Sequence, residues 1–268
     1  MFIYKLLGFV LILFVGCKLS SRFQYYAKFT FFLLGTAISA LIFPYPSLLF
    51  YPIRDYRIGL LSAWGFRKTV NLLGLKYEVR GIENLDRNEG GVIVVAPHQS
   101  GIDLAVTAYL WPIIGRGVVI IKRLLLYAFP FGIGVWLCGT LFIDRNNKEG
   151  ALSLLKMQLE AIQKRFNKIV IFPEGTRSQD GTILPFKKGA FHLAIDSQSM
   201  VQPVVVSRYH FLSSKEKRFG EGKIIISILP AIQCKGMTKD DVSDLTNSTK
   251  LLMDKHFAEI SKETKAYS

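Results

Sequence analysis

Cysteine is scarce in this 268-residue chain, and its three copies, Cys17, Cys138 and Cys234, are widely scattered. That excludes a disulfide framework and a clustered zinc site, and it leads us to expect a reducing compartment. Acidic residues are also short: 20 Asp plus Glu face 34 Lys plus Arg, for a formal net charge of +14. The imbalance points to an anionic partner, whether nucleic acid, an acidic membrane surface or a phosphorylated substrate. No Gly-x-x-x-x-Gly-Lys-Ser/Thr run is present, which argues against a P-loop nucleotide hydrolase, and neither internal repeats nor low-complexity tracts occur. Apolar residues are not lacking. They make up 50% of the chain, with 13% aromatic, enough for a large core and incompatible with intrinsic disorder. A mean hydropathy of +0.29 shifts the expected partner from nucleic acid to lipid. The length suits one domain plus a short appendage.

The appendage is the N-terminus, with residues 1–55 expected as hydrophobic membrane-anchoring helices and 56–268 as the catalytic domain. One apolar run covers 6–16, Lys18, Arg22 and Lys28 interrupt, and a second covers 29–43. At ~1.5 Å per residue the second spans roughly 22 Å, short of a ~30 Å hydrocarbon core, before Pro44, Pro46 and Pro52 punctuate it. Either a kinked span continuing through Leu48 to Phe50 or a hairpin dipping into one leaflet fits. Lys5 ahead of an apolar run imitates a secretory signal, but a second apolar run follows at once.

Further on, the texture is that of an α/β protein. Residues 91–96 read as a buried strand, 102–111 as a helix and 118–121 as a strand. A helix is expected over 151–166, a strand over 168–172 and a helix over 190–197. Strands follow at 201–207 and 223–229, and a terminal amphipathic helix at 240–260. The alternation predicts a mostly parallel or mixed sheet flanked by helices. Residues 124–143 carry no charge and are long enough to span a bilayer, but Pro130, Gly132, Gly134 and Gly139 break them, favouring a buried or lipid-touching loop-helix element.

Four blocks carry possible chemistry. His98 and Asp103 flank a strand-to-helix junction, where ligands gather in open α/β sheets. With His98 in the loop and Asp103 in the first helical turn, the carboxylate can hold one ring nitrogen and leave the other as a base. A plain capping box, with Ser100 as N-cap and Asp103 at the third helical position, fits the same spacing. Phe172-Pro-Glu-Gly-Thr-Arg-Ser178 follows another strand: Gly175 permits close backbone approach, and Arg177 offers a planar fork for phosphate. A polar turn explains it equally well. Asp144-Arg145 ends a third apolar strand, as a phosphate contact or a surface ion pair. The fourth is a strand over 201–207 carrying Pro203, as expected of an edge strand.

Together, in this order and spacing, the blocks resemble those of the glycerophospholipid acyltransferases, most closely the lysophosphatidic acid acyltransferase branch. That family has a His-x4-Asp block (here His98 and Asp103), a Phe-Ile-Asp-Arg block (142–145), a Phe-Pro-Glu-Gly-Thr-Arg-Ser block (172–178) and a proline-bearing strand (201–207). Lys122-Arg123 and the segment 184–192 also match, while Pro97 stands where the family usually has Asn, and Leu124 where Glu is common. The resemblance implies transfer of an acyl group from acyl-CoA to the sn-2 hydroxyl of lysophosphatidic acid, giving phosphatidic acid. Glycerol-3-phosphate or another lysophospholipid is the alternative acceptor, and a non-enzymatic phospholipid-binding protein the remoter reading. It further implies His98 as base, Asp103 as its partner, and Lys122, Arg145, Glu174, Gly175, Thr176, Arg177 and Pro203 as substrate-binding positions. No metal and no cofactor beyond acyl-CoA as co-substrate are implied, and the expected partners are both substrates and a phospholipid membrane, not nucleic acid. The endoplasmic reticulum membrane, with the site facing the cytosol, is the implied location, so the sequon Asn247-Ser-Thr249 is expected to go unglycosylated.

Overall fold

The computed structural model describes residues 20–86, 89–144, 167–178 and 180–267, together with Tyr4, Gly16, Met157, Leu159, Glu160, Ile162 and Gln163. The apolar run 6–16, most of the helix expected over 151–166, and Arg145 lie outside the described residues. Ten strands are described: β1 (Leu75–Arg80), β2 (Gly91–Ala96), β3 (Gly117–Lys122), β4 (Leu141–Ile143), β5 (Lys168–Ile171), β6 (Met200–Val206), β7 (Leu212–Ser213), β8 (Arg218–Phe219), β9 (Gly222–Ile228) and β10 (Ile232–Gln233). The longer described helices are α1 (Ser21–Leu41), α2 (Pro44–Ser47), α3 (Ile58–Leu72), α4 (Asp103–Ile114), α5 (Phe131–Leu137), α6 (Gly189–Asp196) and α7 (Val242–Lys265).

Eight of the strands form one sheet in the order β1-β9-β6-β2-β5-β3-β4, with β10 pairing β6 off that path. The centre, from β6 to β4, is parallel, whereas β9 runs antiparallel to β6. The sheet is therefore mixed, as expected. Side-chain alternation divides the core into two layers. Ile93 and Val95 of β2 and Val204 and Val206 of β6 pack with Phe32 of α1, Phe66 and Val70 of α3, and Ala105 and Leu110 of α4. Val92, Val94 and Ala96, with Val201 and Val205, face the other way onto Phe191 and Leu193 of α6 and Val242 and Met253 of α7. Because both faces are covered, all six residues of β2 and all seven of β6 are buried, which is why these strands read as unbroken apolar runs.

Pro203 lies in the sheet interior, not on an edge strand as expected. It pairs with Val94 of β2 on one side. On the other side β6 changes partner, from β10 at Met200 and Val201 to β9 from Val204 onward. The Pro203 carbonyl accepts from Leu229 N at 3.0 Å on that side, so its missing N–H falls at the changeover, where the ladders demand no donor.

Helix α1 starts earlier than the apolar pattern implies. Ser20 caps it, its Oγ accepting from Phe23 N at 3.3 Å, and the 21 residues extend about 31 Å. Ser21–Ser47 is one stretch long and apolar enough to cross a membrane, with a mean hydropathy of 1.6. One face packs on the domain: the Phe32 ring lies 5.4 Å from Phe66 and the Phe29 ring 5.3 Å from Phe219. Lys28 Nζ donates to the carbonyls of Leu73 (3.3 Å) and Gly220 (3.1 Å). Leu33, Leu34, Ile38 and Leu41 on the opposite side are exposed. The chargeless stretch 124–143 is divided into the end of a 3-10 turn (Arg123–Tyr127), α5 and β4, so it is not a span. A β-carbon at Gly134 would collide with the Ala40 carbonyl, so glycine there is what lets α5 lie against α1.

Candidate active site

Parallel strands deliver their C-terminal ends to one edge of the sheet, and the loops beyond β2, β5 and β6 meet there. His98 follows β2. Its Nδ1 lies 2.6 Å from Asp103 Oδ2, and since an ionised carboxylate only accepts, Nδ1 carries the proton. Nε2 has no hydrogen-bond partner among the described residues, and the side chain is 23% exposed. The ring stacks obliquely on Phe172, centroids 4.3 Å apart.

Asp103 opens α4 and is 3% exposed. Its Oδ2 also receives Gln99 N (2.8 Å) and Ser100 N (3.0 Å), while Ser100 Oγ accepts from Ile102 N at 3.0 Å. The capping box expected from the sequence is not what forms: Ile102 is the N-cap, Asp103 is the first helical residue, and Ser100 Oγ takes Ile102 N instead of Asp103 N. The carboxylate still holds the loop amides of Gln99 and Ser100, which fixes Oδ2 against His98. Oδ1 accepts from the Tyr209 hydroxyl at 2.7 Å.

Glu174, after β5, is 2% exposed and does not face the solvent. Oε1 accepts from His98 N at 2.7 Å and Oε2 from Leu184 N at 3.0 Å. Burial pushes this carboxyl up to about 7, with the two amides and His98 opposing and the Asp103 charge adding. With both oxygens so engaged, this carboxyl ties the loops after β2 and β5 together instead of receiving a phosphate. The Ser178 N to His98 O bond, 2.7 Å, joins the same two loops a second time.

Cations complete the edge. Lys122, at the end of β3, is exposed, as are Thr176 and Arg177. Gly175 has φ +69°, and a β-carbon there would lie 2.8 Å from Lys187 Nζ, so this glycine both makes the turn and leaves room for the ammonium. Pro203, three residues short of the end of β6, is not brought to this edge. Arg145 lies outside the described residues. Two positions escaped the sequence reading. Gln99 donates Nε2 to Ser207 O (3.0 Å) and accepts from Tyr209 N (3.0 Å), clamping the β2 and β6 loops together. Tyr209 stands two residues past the proline-bearing block and 106 from Asp103, so no local spacing could have announced it.

An apolar cavity of about 140 Å³ opens between α1, α3, α4 and α5, lined among others by Ala40, Ala63, Phe66, Leu104, Trp111 and Cys138. Leu104, which follows Asp103 in the chain, is the lining residue nearest in sequence to the dyad. Burial pushes the Cys138 thiol up to about 12, and Sγ donates to Gly134 O, which leaves it inert as a nucleophile. Among the described residues no group of His, Cys, Asp and Glu could hold a metal ion.

A family model described as Acyltransferase matches residues 76–207. The chain is 38% identical over 193 residues to the human 1-acyl-sn-glycerol-3-phosphate acyltransferase alpha, covering 72% of this chain and 67% of that one. It is 34% identical over 257 residues to a putative 1-acyl-sn-glycerol-3-phosphate acyltransferase of Caenorhabditis elegans, covering 94% and 88%. The fold is similar to the crystal structure of the 1-acyl-sn-glycerophosphate acyltransferase PlsC from Thermotoga maritima, with a TM-score of 0.71 at 21% identity over 90% of this chain and 98% of that one.

Proposed function

Since this chain belongs to the acyltransferase family of the 1-acyl-sn-glycerol-3-phosphate acyltransferases, we propose that it acylates the sn-2 hydroxyl of lysophosphatidic acid, forming phosphatidic acid, with acyl-CoA as donor. The observation that carries this reading is the His98–Asp103 pair at the strand ends, with Nε2 unpartnered among the described residues.

The acceptor hydroxyl loses its proton to Nε2 as its oxygen attacks the thioester carbon. Asp103 holds the tautomer and stabilises the imidazolium that forms. The tetrahedral intermediate collapses with cleavage of the C–S bond, and the proton on Nε2 passes to the departing thiolate. A thiol titrates near ~8.5, so this leaving group needs little help and a covalent acyl-enzyme is unnecessary. Arg177, Lys122 and Lys187 are exposed or open to the edge and suit the acceptor phosphate and the phosphates of coenzyme A. The apolar cavity suits an acyl chain.

The proposal extends to a membrane surface. The outer face of α1 exposes Leu33, Leu34 and Ile38, and the turn beyond β3 exposes Leu124, Tyr127 and Phe129 beside Lys122 and Arg123. Apolar and aromatic side chains next to cations suit an anionic lipid interface. The cytosolic face of the endoplasmic reticulum, where acyl-CoA is at hand, fits these requirements.

Membranes from cells expressing the chain, given radiolabelled acyl-CoA and a panel of lysophospholipids and glycerol-3-phosphate, test the reading. Labelled phosphatidic acid is expected from lysophosphatidic acid, and a fall of about 10²–10⁴ in rate for His98→Ala. Transfer to a different acceptor only, or full activity of the variant, overturns it.

A further inference from the structure

We propose that Tyr209 is a positioning residue of this site: its buried hydroxyl locks the Asp103 carboxylate in the orientation that serves His98 and lowers the pH at which the pair gives up its last proton. The inference rests on the proposed acyl transfer only for its turnover readouts.

The argument starts from an asymmetry. Asp103 Oδ2 receives three donors, His98 Nδ1, Gln99 N and Ser100 N, whereas Oδ1 receives the Tyr209 hydroxyl alone. Asp103 is 3% exposed and Tyr209 5%, so water is not at hand to replace that donor. A hydrogen bond from a neutral donor to a buried anion is short and strong, and its loss leaves a charged oxygen unmet. The donor itself is fixed from two directions. Its backbone N–H binds the Gln99 side chain, and its ring lies 5.6 Å from Phe211 in the core. Burial, and next the Asp103 charge, push the phenol well above its ordinary range, so it stays protonated wherever the enzyme works.

Among the described residues no other donor is placed to substitute. Tyr77 of β1 feels the Asp103 charge, but its hydroxyl is buried without a hydrogen-bond partner among the described residues and it stacks flat on Tyr109 of α4, centroids 4.2 Å apart. Glu174, from the loop after β5, is a further titratable group facing the pair, and it can only add negative charge. The Tyr209 bond is worth more to an Asp103 that stands beside neutral His98 than to one already neutralised by imidazolium. Removing the donor therefore makes the pair hold its last proton to higher pH, while the base is also aimed less firmly.

Tyr209→Phe keeps the ring and its packing and removes only the hydroxyl. The expected result is a fall of about tenfold in kcat with KM for both substrates nearly unchanged, and an acid limb of the kcat profile moved to higher pH. Replacing Tyr209 with 3-fluorotyrosine, a stronger donor of nearly the same shape, should move that limb the opposite way, which a merely space-filling ring would not do. Proton-detected NMR titration of the His98 imidazole in detergent micelles reads the same two shifts without turnover. If wild type acylates no acceptor, the proposed function fails while the titration still decides this inference. An unmoved titration in both variants, or a loss confined to KM, overturns it.

Discussion

Two buried carboxylates hold the active-site edge, one in each loop, and they are treated differently. Asp103 is met by four donors, two of them side chains, one of which is the proposed base, His98. Glu174 is met by two backbone amides, and burial leaves it titrating at about 7. Equal burial thus supports unequal duties. The carboxylate for which we propose a part in proton transfer is surrounded by four donors, whereas the one that ties loops together is left near the balance between desolvation and two amides.

Substitutions sharpen the contrast. Asp103→Asn presents an amide NH2 to a cluster of donors and releases the tautomer of His98, so kcat should fall by about 10³–10⁴ in the acyl-CoA assay, with the fold retained by circular dichroism. A loss of stability without a loss of kcat would reduce Asp103 to a cap. Glu174→Gln keeps the shape but can satisfy only one of the two amides, so a fall of about tenfold in kcat is expected. Its second signature is in stability. Glu174 holds its proton more tightly folded, at about 7, than at its ordinary value of 4.5, so the native state binds the extra proton between those limits. Its contribution is therefore greatest at low pH and is lost as pH rises through that window; thermal melts from pH 4.5 to 8 should show that decline weakened in the variant. An unchanged pH dependence would mean that Glu174 titrates normally. Arg177→Lys, on the outward side of the Glu174 loop, should have the mildest effect: a KM for lysophosphatidic acid raised about tenfold, with that for acyl-CoA unmoved, because an ammonium replaces a bidentate fork. Loss of acyl-CoA affinity instead would assign Arg177 to the coenzyme.

The sheet was legible where burial on both faces makes a strand read as an apolar run, as in Val92–Val95 and Val204–Val206, and the strand-end position of His98 followed from that. Other features were hidden for identifiable reasons. Helix α3 carries Arg67, Lys68 and Thr69 among its apolar residues and follows a proline-rich stretch, so its periodicity is diluted. The start of α1 depends on a serine cap that hydropathy does not register. Pro203 suggested an edge because a changeover between two partner strands cannot be seen along one chain. Tyr209 and Gln99 act across more than a hundred residues, and only the closed sheet brings them to the dyad.

Helix α1 leaves the ribosome early, yet its Lys28 rests on Gly220 and its Phe29 on Phe219, residues made some 190 positions later. At the usual ~5–20 residues per second, that lag is roughly ten to forty seconds. During it, a helix long and apolar enough to cross a membrane lacks the Phe219 ring and the Gly220 carbonyl that its Phe29 and Lys28 will find. On the membrane reading proposed above, a lipid surface would shelter such a helix and the sheet would then close onto an element already lying there, so the order of the chain itself would favour assembly at a bilayer.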